Sequence, residues 1–182
     1  MHLTLITSNH GKLKELKGYL EPEITIDHIS TPYTEMRSDD PEEITKLAAK
    51  QNAEKLKKPV IVEDSGLFIG SLNDFPGTCS AYIHKRIGLK GILSLMQGID
   101  DRTCFYKSAV GYCEPGKEPL SFLGEEKGKI ALEEKGSSGF GHDPIFIPEN
   151  SEKTYGEMGE EFKKFRKIAV NKLKEYLLNK ER

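Results

Sequence analysis

Three stretches of this chain group residues whose types could do chemistry. The first is Thr7-Ser8-Asn9-His10-Gly11-Lys12. It follows the apolar, β-branched run Leu3 to Thr7 and precedes leucines at helical spacing, Leu13, Leu16 and Leu20. It therefore reads as a strand, a tight loop and a helix start. Amides at a helix start lack intrahelical partners, and the dipole there favours anions by roughly 0.3–1 kcal/mol. Small residues let the backbone approach a phosphate, and Lys12 adds a full charge. The glycine spacing is not that of a Walker A loop, and an ordinary turn with a solvated lysine accounts for the same residues. The second stretch, Glu63-Asp64-Ser65-Gly66, is read at the end of the apolar run Pro59 to Val62. Adjacent acids in a strand point to opposite sides, so one can face a ligand and the other a structural partner. A single carboxylate there suits Mg²⁺, which takes one or two protein carboxylates and leaves the rest to water and phosphate; a turn or helix cap explains the pattern as well. The third is Ser138-Gly139-Phe140-Gly141-His142-Asp143-Pro144. Glycines flanking Phe140 make room for a flat ligand against its ring, where stacking is worth roughly 1–3 kcal/mol per base. His142 can form a second wall, and Asp143 can accept a base N–H. A glycine-rich turn around a packed Phe is the alternative.

The elements that must position these residues follow from hydrophobic periodicity. Ile24 to Ile29 alternates as a second strand, and residues 30–41 form a polar loop. Asp39 or Asp40 caps a helix with Pro41 in its first turn, burying Ile44, Leu47 and Ala48. Phe75-Pro76-Gly77 reads as a turn and Leu89 to Met96 as a short apolar helix. Cys104 to Cys113 and Pro119 to Leu123 read as a hairpin about Glu114-Pro115-Gly116, with Lys127 to Leu132 as another strand. A last helix carries Phe162, Phe165, Ala169, Leu173, Tyr176 and Leu177 on one stripe. Alternating strands and helices followed by clustered strands imply an α/β protein with a mixed sheet. Ligands in such sheets gather beyond the carboxyl ends of strands, here after Thr7 and Val62.

The net charge of −2 over 182 residues argues against a nucleic-acid backbone binder, so an anionic ligand needs a local cluster of cations. No apolar run approaches the roughly 18 residues that span a bilayer. The start of the chain lacks the basic region and cleavage site of a signal peptide. Cys79, Cys104 and Cys113 form no Cys-x-x-Cys pair, which points away from zinc or disulfides and towards the cytoplasm.

Several blocks, in order, resemble the inosine triphosphate pyrophosphatase family, the house-cleaning nucleotide triphosphatases. They are Thr7-Ser8-Asn9-His10-Gly11-Lys12 with Glu15, Thr34-Glu35, Ala49-Lys50-Gln51-Asn52-Ala53, Glu63-Asp64-Ser65-Gly66-Leu67, Phe75-Pro76-Gly77, Gly139-Phe140-Gly141-His142-Asp143-Pro144-Ile145-Phe146 and Thr154-Tyr155-Gly156-Glu157-Met158. The resemblance implies one domain over residues 1–182, an elongated α/β structure whose twisted mixed sheet and flanking helices form two lobes around a cleft, and a homodimer. It implies Mg²⁺-assisted attack of water at the α-phosphorus of ITP, dITP or XTP, with pyrophosphate leaving. By the same resemblance Lys12, Lys50 and Lys163 meet the triphosphate, with Thr7, Ser8, Asn9, His10, Gly11 and Ser65 around it. Glu35 and Asp64 hold the metal, Asp64 also orients or deprotonates the water, and Glu15 and Glu63 stand behind them. Phe140 stacks on the base beside Gly141 and His142, while Asp143 and Arg166 read its edge.

Two departures stand at the base-facing end. The family's Ser-His-Arg-x-x-Ala is matched only by Arg166 and Ala169, with Lys164-Phe165 where Ser-His is expected and the preceding stretch three residues short. His142 replaces the usual Tyr or Trp. These features leave open a related pyrophosphatase for pyrimidine or modified triphosphates, or a nucleotide sensor without turnover.

Overall fold

A computed structural model describes residues 1–31, 36–159 and 163–180. Its strands are β1 (His2–Ile6), β2 (Thr25–Ile29), β3 (Val60–Ile69), β4 (Phe75–Gly77), β5 (Thr103–Cys113), β6 (Leu120–Ile130) and β7 (Phe146–Pro148). Its helices are α1 (His10–Leu20), α2 (Pro41–Leu56), α3 (Ser80–Leu95), α4 (Tyr155–Met158) and α5 (Phe165–Lys180). The strands form one twisted, unclosed mixed sheet in the order β2-β1-β3-β5-β6-β7, with β4 paired to β3 off that path. The mixed α/β class expected from the sequence is therefore present. None of the described helices is long and apolar enough to cross a membrane.

The chain divides into two compact units. The first comprises Met1–Asp64, Ser108–Gly124 and Arg166–Arg182. Here β1 pairs in parallel with β2 and β3, setting Leu5 beside Ile61. Helices cover both faces, which is why Val60-Ile61-Val62 is apolar without alternation. Ile61 packs with Leu16 and Leu20 of α1 and with Ala169, Val170 and Leu173 of α5. Val60 and Val62 pack instead with Ala48, Ala49 and Ala53 of α2. β5 obeys the same period, since Val110 and Tyr112 join the α1–α5 cluster and Cys113 the α2 cluster.

The second unit comprises Ser65–Lys107 and Glu125–Phe165. Its core gathers Leu67, Ile69, Ile92, Met96, Cys104, Tyr106, Ile130, Ile145, Phe146, Tyr155 and Phe165. Stacking within it is aromatic, with Tyr106 and Phe165 ring centroids 4.5 Å apart.

Four expected elements are corrected. Glu63-Asp64-Ser65-Gly66 does not end a strand: β3 continues to Ile69 because Phe75-Pro76-Gly77, expected as a turn, forms β4 and pairs antiparallel with its far end. A Cβ on Gly66 would lie 2.1 Å from the Gly77 carbonyl oxygen, so that approach requires glycine. α3 begins at Ser80 rather than Leu89, and Gly88 (φ 63°) kinks it. Its first half exposes Tyr82, Lys85 and Arg86 and so lacks a strong apolar period. Finally, the strands expected at Pro119 to Leu123 and at Lys127 to Leu132 are one, β6, in which exposed Glu125, Lys127 and Lys129 alternate with buried Glu126, Gly128 and Ile130.

Candidate functional site

The loop after β1 is built as a helix N-terminus. Asn9 caps α1, its side-chain oxygen accepting the Lys12 amide at 3.1 Å, and its own amide donates to Thr7 Oγ1 at 3.1 Å. His28 Nε2 donates to the Thr7 carbonyl at 2.8 Å, tying the loop to β2. Thr7 is buried, Ser8, Asn9 and His10 are exposed, and Gly11 is partly so. The loop expected from the sequence to meet an anion is thus an exposed, Asn-capped helix start, a place where backbone amides lack intrahelical partners.

Lys12 turns inward from that loop to Glu63. Its Nζ lies 2.9 Å from Glu63 Oε2 and donates to the Glu63 carbonyl at 3.2 Å. Strand alternation explains the meeting, because Glu63 shares the α1–α5 face of β3 with Ile61, and Ser108 shares that face of β5 with Val110. Ser108, fully buried, donates to Glu63 Oε1 at 2.6 Å. Arg166, in the first turn of α5, donates through Nε to the same oxygen at 3.0 Å and through Nη1 to Glu15 on α1. Two cations and two anions thus balance in a site where Glu63 and Arg166 are 3% and 1% exposed. Burial alone would push the Glu63 carboxyl up; Arg166, then Lys12 and the Ser108 hydroxyl, overrule it and hold the pKa at about 2. Burial likewise works against the Arg166 charge, but Glu63 and Glu15 raise its pKa above the ordinary value.

Alternation sends Asp64 to the opposite, α2 face of β3, with Val60 and Val62. Asp64 is 9% exposed and Ser65 is partly buried. Lys50 rides on α2 with its Nζ 2.9 Å from Glu118 Oε1, a hydrogen bond that raises its pKa. Glu35, expected as the other metal carboxylate, lies outside the described residues, as does Phe162 of the expected helical stripe. Among the described residues no three His, Cys, Asp or Glu gather around a common metal position.

In the second unit the Phe140 block forms a tight knot. Gly139 has φ +77°, and a Cβ there would stand 2.1 Å from Asp143 Oδ2. That oxygen accepts the Phe140 amide at 2.7 Å and pairs with Lys163 Nζ at 2.7 Å. The same ammonium sits 4.3 Å from the Phe140 ring centroid, a cation–π contact at the face expected to receive a base. Tyr106 donates to Asp143 Oδ1 at 3.4 Å. Glu126 Oε2 accepts the Lys164 and Phe165 amides at 3.0 and 3.2 Å, capping the start of α5. His142, 3% exposed, meets the His84 ring edge-on at 5.1 Å, and its Nε2 has no hydrogen-bond partner among the described residues. Burial, aided by His84, drops its pKa to about 4.

The three lysines expected on one triphosphate therefore rest on three carboxylates, Glu63, Glu118 and Asp143. Arg166, expected at the edge of the base, is instead buried with Glu15 and Glu63, because α5 starts where its first turn faces α1 and β3. No local pattern announces Ser108, Tyr106, His28 or Glu126. Ser108 is one hydroxyl in an apolar strand, and only knowledge of the strand pairing puts it against Glu63.

A polar, Asn-capped helix start beside charged groups on central strands places this chain among mixed α/β proteins, whose ligands gather beyond the carboxyl ends of strands. The Ham1 family model matches residues 3–176, and the chain belongs to that family. The chain is 48% identical over 164 residues to the dITP/XTP pyrophosphatase of Methanopyrus kandleri, a match spanning 90% of this chain and 87% of that protein. It is 42% identical to the dITP/XTP pyrophosphatase of Methanosarcina acetivorans over 99% of this chain and 100% of the other. Among solved structures, the Staphylococcus aureus Ham1 protein superposes with a TM-score of 0.84 at 27% identity, covering 97% of this chain and 99% of that one.

Proposed function

We propose that this protein hydrolyses non-canonical purine nucleoside triphosphates, ITP, dITP and XTP, to the monophosphate and pyrophosphate, removing them from the nucleotide pool. The observation that carries this reading is the Asn9-capped start of α1, whose Lys12 is held by Glu63, in a chain 48% identical to a dITP/XTP pyrophosphatase. The amides of Ser8, His10 and Gly11 and the Lys12 ammonium are suited to phosphate oxygens. Lys50, on the same face of β3 as Asp64, exchanges Glu118 for the phosphates when substrate is present.

Asp64 is the group we assign to the attacking water. As a carboxylate it can orient that water and take its proton at an Oδ atom. Mg²⁺ is compatible with Asp64, since one or two carboxylates suffice alongside phosphate oxygens and water; Asp64 would hold it, with Glu35, outside the described residues, as the second carboxylate that the family resemblance implies. When bound, the ion neutralises phosphate charge. Phe140 and His142 take the base, and Asp143 accepts a hydrogen from its edge once Lys163 yields. We assign the protein to the cytoplasm as a homodimer; the support for the dimer is family membership and the exposed Tyr82, Ile87 and Leu95 along α3. The test is a screen of nucleoside triphosphates for pyrophosphate release, in which ITP, dITP and XTP outrank ATP. Preference for pyrimidine triphosphates, or binding without turnover, contradicts the reading.

A further inference from the structure

We propose that Ser108 and Arg166 are positioning residues that fix the Glu63 carboxylate as the seat of Lys12, so that they act on phosphate binding through Lys12 and are indifferent to the base. The inference rests on the reading that Lys12 meets substrate phosphates. Lys12 stands on a flexible four-carbon stem, and its ammonium is a point charge whose direction must be imposed from outside. The imposing group is Glu63, which holds Nζ through both its Oε2 and its backbone carbonyl. The carbonyl takes one ammonium donor and the carboxylate holds the charge at 2.9 Å, which aims the group and leaves a donor for a phosphate oxygen.

A carboxylate can direct a lysine only if it is itself fixed. Glu63 Oε1 is fixed from two sides, by Ser108 on β5 at 2.6 Å and by Arg166 Nε on α5 at 3.0 Å. Arg166 is fixed in turn by Glu15 on α1, the helix that carries Lys12. The chain of contacts closes on itself: α1 through Glu15, α5 through Arg166, β3 through Glu63, and back to α1 through Lys12. The planar fork of arginine suits this because its donors span two carboxylates in fixed relative directions. Charge balance matters too. With Arg166 and Lys12 together set against Glu15 and Glu63, the seat carries no net negative charge that would repel a triphosphate.

The test is a double-mutant cycle between Ser108→Ala and Lys12→Ala, with Arg166→Lys as a second probe of the same seat. Two quantities are read: kcat/KM for ITP and ATP, and the Kd of inorganic tripolyphosphate, which has no base. Thermal melting establishes that each variant is folded. Ser108→Ala should weaken tripolyphosphate binding and lower kcat/KM by about 10-fold, the scale of a hydrogen bond to a charged group. That loss should nearly vanish in the Lys12→Ala background. Arg166→Lys should lower ITP and ATP by the same factor and also lose its effect without Lys12. Equal losses from Ser108→Ala with and without Lys12 would overturn the proposal, as would a loss from Arg166→Lys confined to ITP. Should Arg166→Lys fail to fold, the Ser108 cycle decides alone. Should ITP not be hydrolysed, the proposed reaction fails while the tripolyphosphate cycle still judges the seat.

Discussion

Glu63 and Asp64 occupy successive positions of β3, and the two-residue period of the strand gives their carboxyls different work. Glu63 is consumed by Arg166, Lys12 and Ser108, whereas Asp64 lies on the α2 face, where we assign it to water. Asp64→Asn is nearly isosteric and should leave melting temperature and tripolyphosphate binding close to those of the parent. Turnover of ITP should fall by at least about 10²-fold, the scale of general-base loss; steady-state rates within a few-fold of the parent would remove Asp64 from the mechanism. His142 yields a prediction about pH. Its folded pKa of about 4 lies below the ordinary 6.5, so between these values the unfolded chain takes up a proton that the folded chain refuses. Stability should therefore decline as pH falls from 6.5 towards 4, by about 3 kcal/mol for this group. Glu63 has the same sign lower down, its contribution being present above 4.5 and lost as pH falls towards 2. Urea midpoints at pH 7, 5.5 and 4 should fall less steeply in His142→Phe than in the parent; parallel slopes would show that the burial of His142 does not govern this range.

At the level of elements, the knot around Asp143 depends on a backbone that only glycine adopts easily. Gly139→Ala places a methyl carbon against Asp143 Oδ2 at a residue with φ +77°. It should destabilise the protein by about 1–3 kcal/mol and raise KM for ITP, since the amide of Phe140 and Lys163 both use that oxygen. A melting temperature unchanged within error would mean the block relaxes freely. The elements legible in the sequence were those with a local signature. The cap expected at Asp39 or Asp40, which falls on Asp40, the apolar run at Val60, and Phe165, Ala169, Leu173 and Leu177 of the expected α5 stripe all carry their cause within a few residues. Leu47 and Tyr176, by contrast, expected on the buried faces of their helices, are exposed. What was not legible had its cause elsewhere in the chain. β3 runs on past Gly66 because β4, near residue 76, arrives to pair with it. Arg166 pairs with Glu15, over 150 positions earlier, and with Glu63 where α5 begins, a partnership that no local pattern announces. The glycine-flanked Phe140 was visible, but the lysine over its face was not, since sequence spacing says nothing of which carboxylate Lys163 will choose.

For the whole molecule, a net charge of −2 leaves the binding of a highly anionic substrate to local groups rather than to a global field. Each compact unit has its own apolar core and its own buried ion pairs, Glu63 with Arg166 and Lys12 in one and Asp143 with Lys163 in the other. Membership of the Ham1 family and these placements support one reaction, cleavage between the α- and β-phosphates of a non-canonical purine triphosphate. The most direct measurement identifies and counts the products formed from ITP with Mg²⁺ present, alongside ATP under the same conditions. Equal amounts of IMP and pyrophosphate, with kcat/KM for ITP exceeding that for ATP by at least about 10²-fold, are predicted. Release of IDP and single phosphate, or equal use of ATP, would contradict the account.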